Sequence, residues 1–197
     1  MKQEERRQHT LQLLLDATKE LIMEKGCQSI TMKDIMERTG LSKGAIFHYV
    51  QSKDEIFAWI LQEQLEKTNA RFNAEIEQGN RSFDSPMQKI AESLALLDDP
   101  RDVTNKVLAY LLGREDQPPV AAALKQFYEN SVHFSSQWIR MGQQHGVIPA
   151  SVDTAATAEM FVLLGLGMRV RSSFPLQKVS FSAQSFSEFI AGVLKSK

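Results

Sequence analysis

Thr31-Met32-Lys33-Asp34-Ile35-Met36-Glu37-Arg38-Thr39-Gly40-Leu41-Ser42-Lys43-Gly44-Ala45-Ile46-Phe47-His48-Tyr49-Val50-Gln51-Ser52-Lys53 contains two short helical patterns that meet at a Thr39-Gly40-Leu41 corner. Ile35 and Leu41, then Ile46 and Val50, fall where one small core can hold two helices at a steep angle, the spacing of a helix-turn-helix. Gly40 supplies the corner, where a residue with a Cβ would strain against a positive φ. Thr31, with Asp34 three residues on, can cap the first helix, and Ser42 stands where the second should begin. That second helix, about Ser42 to Tyr49, is too short to be a strut. Its outward positions are Lys43, Gly44, Phe47 and His48, small, cationic and amphipathic side chains suited to pressing into a groove and touching phosphates or base edges. The competing reading is a helical hairpin inside an ordinary α-domain.

Outward from this stretch the chain reads as helix after helix. Leu11, Leu14, Leu15, Thr18, Leu21 and Ile22 make a stripe of helical period that ends at Gly26, and this first helix should pack over the two short ones. Ser52-Lys53-Asp54-Glu55 has the form of a capping box and opens a long helix through Ile56, Phe57, Ile60, Leu61, Leu65 and Phe72 that runs out at Gly79-Asn80. This helix is expected to be the lever from head to body, with Arg81-Ser82-Phe83-Asp84 as the loop beyond it. Ser85-Pro86-Met87-Gln88 and Asp99-Pro100 each have the order of a helix start, and Gly113 closes the second. Pro118-Pro119 launches a helix to about His145, before Gly146 and Pro149; Asp153 caps another toward Arg171; the last spans about Phe181 to Lys195. No alternating run bounded by hairpin turns is present. The expected fold is all-α with about nine helices, divided into a head at 1–52 and a body at 53–197.

The 197 residues, 43% hydrophobic and 24% charged, carry more apolar material than a head of about fifty residues can bury, so a second core is required. Net charge is −1, so attraction to phosphate must come from a local face rather than from the whole chain. Between Thr31 and Lys53 the cations are Lys33, Arg38, Lys43 and Lys53, against Asp34 and Glu37. The N-terminus lacks an apolar core of a signal sequence and no run approaches a membrane span, which leads us to expect a soluble, cytoplasmic protein. Cys27 is the only cysteine and reads as a packing residue near the end of the first helix. His9, His48, His133 and His145 show no paired ligand spacing, so neither a metal nor a cofactor is expected. No glycine-rich phosphate loop, nucleophile elbow or His-Glu-x-x-His arrangement occurs, and Asp98-Asp99 reads as a helix start; an enzyme is not expected.

Two patterns in the body bear on function. Met160-Phe161-Val162-Leu163-Leu164-Gly165-Leu166-Gly167-Met168 is apolar around its circumference, which on a helix implies burial from more than one side. Val162, Gly165, Leu166 and Arg169, with Phe186, Phe189, Ile190 and Val193 of the last helix, are therefore expected to form an isologous homodimer seam. A central helix of a monomer is the alternative. Tyr110, Phe127, Phe134, Trp138, Met141, Phe161 and Met168, with Gln137 and Arg169 as polar groups beside them, are the candidate lining of a cavity for a small apolar or aromatic effector. Residues of these types also fill cores.

The run from Gly40 to Val50, followed by Ser52-Lys53-Asp54-Glu55-Ile56, resembles the N-terminal domain of TetR-type transcriptional regulators. Phe47 stands where that family usually has Tyr, and Val50 where it usually has Phe. The resemblance covers about the first quarter of the chain; beyond it only length and helical pattern agree. It implies a DNA-binding regulator that dimerises through its last two helices and holds an effector in its body. The expected operator is a pseudo-palindrome read in adjacent major grooves about 34–36 Å apart, and repression is the expected role. Ser42 is expected to start the reading helix, with Lys43, Gly44 and Ala45 at base edges. Thr31, Lys33, Tyr49 and Lys53 are expected at the phosphates, Phe47 and His48 in either role, and Met32 among the DNA-contacting residues. A helical protein-interaction module without sequence-specific DNA binding is the alternative.

Overall fold

The computed structural model describes residues 3–77 and 94–195, and among these it contains eight α-helices, one 3-10 turn and no strand. Helix α1 spans Gln3–Ser29, α2 Met32–Thr39, α3 Lys43–Phe47 and α4 Lys53–Glu77. A 3-10 turn at Ala95–Asp98 precedes α5 (Val103–Leu112), α6 (Pro118–Gln144), α7 (Thr154–Arg171) and α8 (Ala183–Lys195). The expected helix end at Gly79-Asn80, the loop at Arg81-Ser82-Phe83-Asp84 and the helix start at Ser85-Pro86-Met87-Gln88 lie outside the described residues.

Most boundaries follow from the capping chemistry of the sequence. Asp153 accepts from the backbone N–H groups of Ala155 and Ala156 at 3.0 and 3.1 Å, which satisfies two of the orphan donors that open α7. Pro118 stands at the first position of α6, where its missing N–H costs no hydrogen bond. Gly146, at φ 71°, turns the chain after α6. Gly26, at φ 75° and ψ 158°, breaks α1 where the stripe was expected to end, and one further turn runs on to Ser29. Two boundaries differ from expectation. α5 is opened by Asp102, whose side chain accepts from Asn105 N–H at 2.9 Å, and not by Asp99. Asp99 instead turns back on Arg101, accepting its backbone N–H at 2.8 Å, so Pro100 sits in a turn before the helix. α3 is five residues long, shorter than the expected Ser42 to Tyr49.

Two cores result. The first joins Leu14, Leu21 and Ile22 of α1 to Ile35, Ile46 and Val50, and then runs without interruption through Ile56, Phe57, Ile60 and Leu61 of α4 to Val107, Leu108 and Leu111 of α5. Phe57 is fully buried in it, a side chain whose burial contributes about 1.5–3 kcal/mol. The reading head therefore shares its core with α5, and α1 packs on both α4 and α5. The second core gathers Leu97, Ile139, Ile148, Ala158, Met168, Phe186, Ile190 and Leu194. A polar clamp stands between α5 and α7. Asn105 donates through its amide to the carbonyls of Leu96, Leu97 and Asp99, and its oxygen accepts from Arg169 at 2.6 Å.

Candidate nucleic-acid interface

The corner between α1 and α2 is built from reciprocal hydrogen bonds. Thr31 Oγ1 accepts from Asp34 N–H at 3.2 Å while Asp34 Oδ2 accepts from Thr31 N–H at 2.8 Å, the complete capping box. Lys25 adds a 2.6 Å ion pair to Asp34 Oδ1. Lys25 and then the Thr31 donors hold the Asp34 carboxyl well below its usual pKa. α2 ends where Gly40, at φ 68°, donates to Met36 C=O at 2.9 Å, so the left-handed corner expected of this glycine is present.

Ser42 then opens α3 by accepting from Ala45 N–H at 3.2 Å. Ile46 is fully buried and fixes the inner side of this short helix to the head core. Fixing one side sets the other: Lys43, Gly44 and His48 are exposed, and Ala45 and Phe47 are half-buried. The Lys43 ammonium lies 5.6 Å from the centre of the Phe47 ring, within cation–π range. A Cβ built on Gly44 meets nothing within 4 Å, so nothing inside the protein requires a glycine there. Thr31 and Lys33 are also exposed, on the same α2 to which Thr31 is the cap. Met32 and Tyr49 are half-buried against the head core, with Tyr49 edge-on to His48 at 5.0 Å.

The Lys53 ammonium, expected at a phosphate, donates here to three backbone carbonyls, Cys27 at 2.9 Å and Gln28 at 3.3 Å in the last turn of α1 and Ile30 at 2.8 Å just beyond it. Burial pushes its pKa down, with Asp54 opposing and Arg114 adding to the shift. The three carbonyls stand at and just past the end of α1, have no partner further along the helix and are left in need of a donor. Other head cations are also engaged: Arg38 pairs with Glu20 at 3.0 Å and Glu24 at 2.6 Å, and Lys33 lies 3.7 Å from Glu37. Cys27 is buried, as expected of a packing residue, and burial raises its thiol pKa to about 11.

The expected effector wall is distributed over two cores. Tyr110 and Phe127 belong to the first, where the Tyr110 hydroxyl donates to buried Asp54; Phe161 and Met168 belong to the second. Arg169 is engaged in the clamp, with Asp102 at 3.7 Å. Phe134, Trp138 and Met141 are half-buried along one side of α6, and Gln137 is exposed. Trp138 lies against Phe72 of α4, ring centres 5.0 Å apart, and donates to Asn69 at 2.9 Å, partners that aromatic spacing alone did not single out.

Of the residues expected at the seam, Val162, Phe186 and Ile190 are 9%, 1% and 4% exposed within their own subunit. Gly165 faces Leu97 and Phe186, while Leu166 packs on the first core. The outward apolar residues are Leu163 on α7 and Phe189 on α8, 55% and 39% exposed, with Val193 half-buried. A helix apolar on every side carries no phase in its sequence, and the clamp at Arg169 settles which side turns inward.

An anchored short helix, carried past a left-handed corner with its small and cationic side outward, is the geometry of the helix-turn-helix class of DNA-binding heads. Residues 14–60 match the family described as "Bacterial regulatory proteins, tetR family". The chain is 28% identical over 189 residues to the HTH-type transcriptional regulator UidR of Escherichia coli K12, an alignment covering 95% of this chain and 94% of that one. Salmonella enterica GusR superposes with a TM-score of 0.66 at 22% identity, covering 95% of this chain and 96% of that one. A TetR-family regulator from Syntrophomonas wolfei reaches 0.70 at 18% identity, covering 96% and 94%. The chain is thus similar to TetR-type regulators in its N-terminal segment and shares their fold over nearly its whole length. Among the described residues no helix is long and apolar enough to cross a membrane.

Proposed function

We propose that this regulator is a repressor that binds a pseudo-palindromic operator as a homodimer, in the cytoplasm, and is released by a small apolar or aromatic effector. The observation that carries the reading is the outward side of α3: Gly44 lies open in a helix where nothing internal asks for a glycine, and Lys43 stands beside it. A residue that weakens the helix, by about 1 kcal/mol relative to alanine, is accounted for by close approach of an outside surface. Lys43, Gly44 and Ala45 are assigned to base edges, with Ala45 available to a thymine methyl group. Ser42, Thr31, Met32, Lys33 and Tyr49 flank them toward the phosphates, and Phe47 and His48 serve either contact. Dimerisation is assigned to the side of α7 and α8 that bears Leu163 and Phe189. The effector is assigned to the side of α6 that carries Phe134, Trp138 and Met141, residues one helical face apart at i, i+4 and i+7. Selection of duplexes from a random pool, followed by gel-shift titration, tests the reading: enrichment of a two-fold symmetric site supports it, and no enrichment refutes it.

A further inference from the structure

Lys53 belongs to α4, yet all three of its recorded hydrogen bonds leave that helix. They end on the carbonyls of Cys27, Gln28 and Ile30, the chain that leads from the last turn of α1 into Thr31, the cap of α2. The last turn of α1 contains no basic residue of its own, although a helix C-terminus with unsatisfied carbonyls favours a cation. On its other side the same ammonium lies 5.2 Å from the centre of the Tyr110 ring and 5.9 Å from that of Phe57. Tyr110 and Arg114 in turn hold the carboxylate of Asp54, the residue next to Lys53. One side chain therefore joins the α1–α2 corner, the start of the lever and the body helix α5.

We propose that Lys53 is a positioning residue for DNA reading: it fixes the corner that carries Thr31 and Lys33 relative to α3 and α5, and it does not itself contact a phosphate. Three carbonyls saturate the three N–H donors of an ammonium, so a phosphate would have to displace bonds that hold the head together. An ammonium in this place acts on affinity through geometry. A phosphate contact acts through release of counterions, and the two leave different signatures in salt. The inference rests on the assignment of α3 as the reading helix.

Two experiments on the full chain test it. In the first, wild type and Lys53→Met, which keeps the length of the stem without charge or donor, are titrated by fluorescence anisotropy against the duplex selected by the wild type. The titrations run at several salt concentrations, with the folded fraction measured by circular dichroism. Positioning predicts that the folded variant binds at least about tenfold more weakly at every salt concentration, with an unchanged slope of log K against log salt. A slope shallower by about two for a dimer, or unchanged affinity of the folded variant, overturns the proposal. In the second, the wild type alone is acetylated with an N-hydroxysuccinimide ester and read by mass spectrometry, which stands even where Lys53→Met does not fold. Lys53 should be labelled far more slowly than Lys33 and Lys43 in the free protein, and addition of the selected duplex should leave its rate unchanged. Labelling of Lys53 at the rate of Lys33, or its protection by the duplex, overturns the proposal. Because labelling of the free protein involves no DNA, a failure there is distinct from a failure of the reading of α3.

Discussion

Tyr110 donates its hydroxyl to Asp54 Oδ1 across 3.1 Å, joining body helix α5 to the first turn of the lever where both residues are buried. Arg114 reaches the second oxygen of the same carboxylate at 3.0 Å and lies over the Tyr110 ring. These contacts tie α5 directly to the start of α4. Tyr110→Phe removes one donor from a buried carboxylate and should cost about 1–3 kcal/mol in denaturant unfolding. Coupling should be visible in a double-mutant cycle with Arg114→Met, whose two single effects will not add.

The same phenol has a signature in alkali. Burial first, then the charge of Asp54, raises its pKa from 10.0 to about 12, so the fold favours the neutral hydroxyl. The stability this contributes is complete below the unfolded pKa and is lost as pH rises through the folded one. Wild type should therefore lose stability between pH 10 and about 12, and Tyr110→Phe should lose less over that window. Equal losses in urea titrations across it would refute the assignment.

Gly40 and Gly44 separate folding from reading. Gly40 stands at φ 68°, so Gly40→Ala should destabilise by about 1–2 kcal/mol. Gly44→Ala enters open space in a helical conformation and should leave thermal stability unchanged or raise it by about 0.5–1 kcal/mol. It should nevertheless weaken binding to the selected duplex. Loss of stability at Gly44, with binding retained per folded molecule, would contradict the assignment.

What was legible in the sequence is what local chemistry decides. Thr31 with Asp34, Gly40, Ser42, Pro118 and Asp153 each fix a boundary through one or two hydrogen bonds or one dihedral, and each stands where its residue type implies. Ile35, Ile46 and Val50 were legible because a short amphipathic helix has only one side to bury. The roles of Lys53 and Tyr110 were not, since their partners lie 23 or more residues away and become neighbours only when α1, α4 and α5 pack. The side of α7 that turns inward was hidden for another reason: nine apolar residues in succession present no contrast.

Lys43 and Lys33 distinguish base from backbone contact. Lys43→Ala should lower affinity by about 1–3 kcal/mol and relax the preference at one base pair of each half-site. Lys33→Ala should weaken binding to all sequences alike and make the salt slope shallower by about one per protomer, less what its pairing with Glu37 already offsets. Selection from random pools with each variant provides the check. Identical changes in sequence preference for both would refute the division.

Gly142 tests the second core. A Cβ there would overlap Ile148 Cδ1 and stand 2.7 Å from Cγ1, and Ile148 is buried, so Gly142→Ala must displace the Ile148 side chain or the turn that carries it. A destabilisation of about 1–3 kcal/mol is expected, typical of overpacking. Gly142→Ala combined with Ile148→Val should recover part of it, because the valine lacks the Cδ1 atom that comes nearest.

The phase of α7 and α8 gives the last prediction. Leu163 and Phe189 are exposed apolar side chains, whereas Phe186 on α8 is 1% exposed and contacts Phe161 and Phe181 in its own subunit. Leu163→Glu with Phe189→Glu should leave the thermal transition of the monomer in place but shift sedimentation from dimer to monomer, because charges there meet solvent when alone and an apolar partner when paired. DNA affinity should fall with dimerisation, since each monomer then holds one half-site without its neighbour. Phe186→Ala should instead cost about 3–5 kcal/mol of folding stability through the cavity it leaves. A double glutamate variant that remains dimeric would move the seam to another face and would separate the spacing of the two reading helices from α7 and α8.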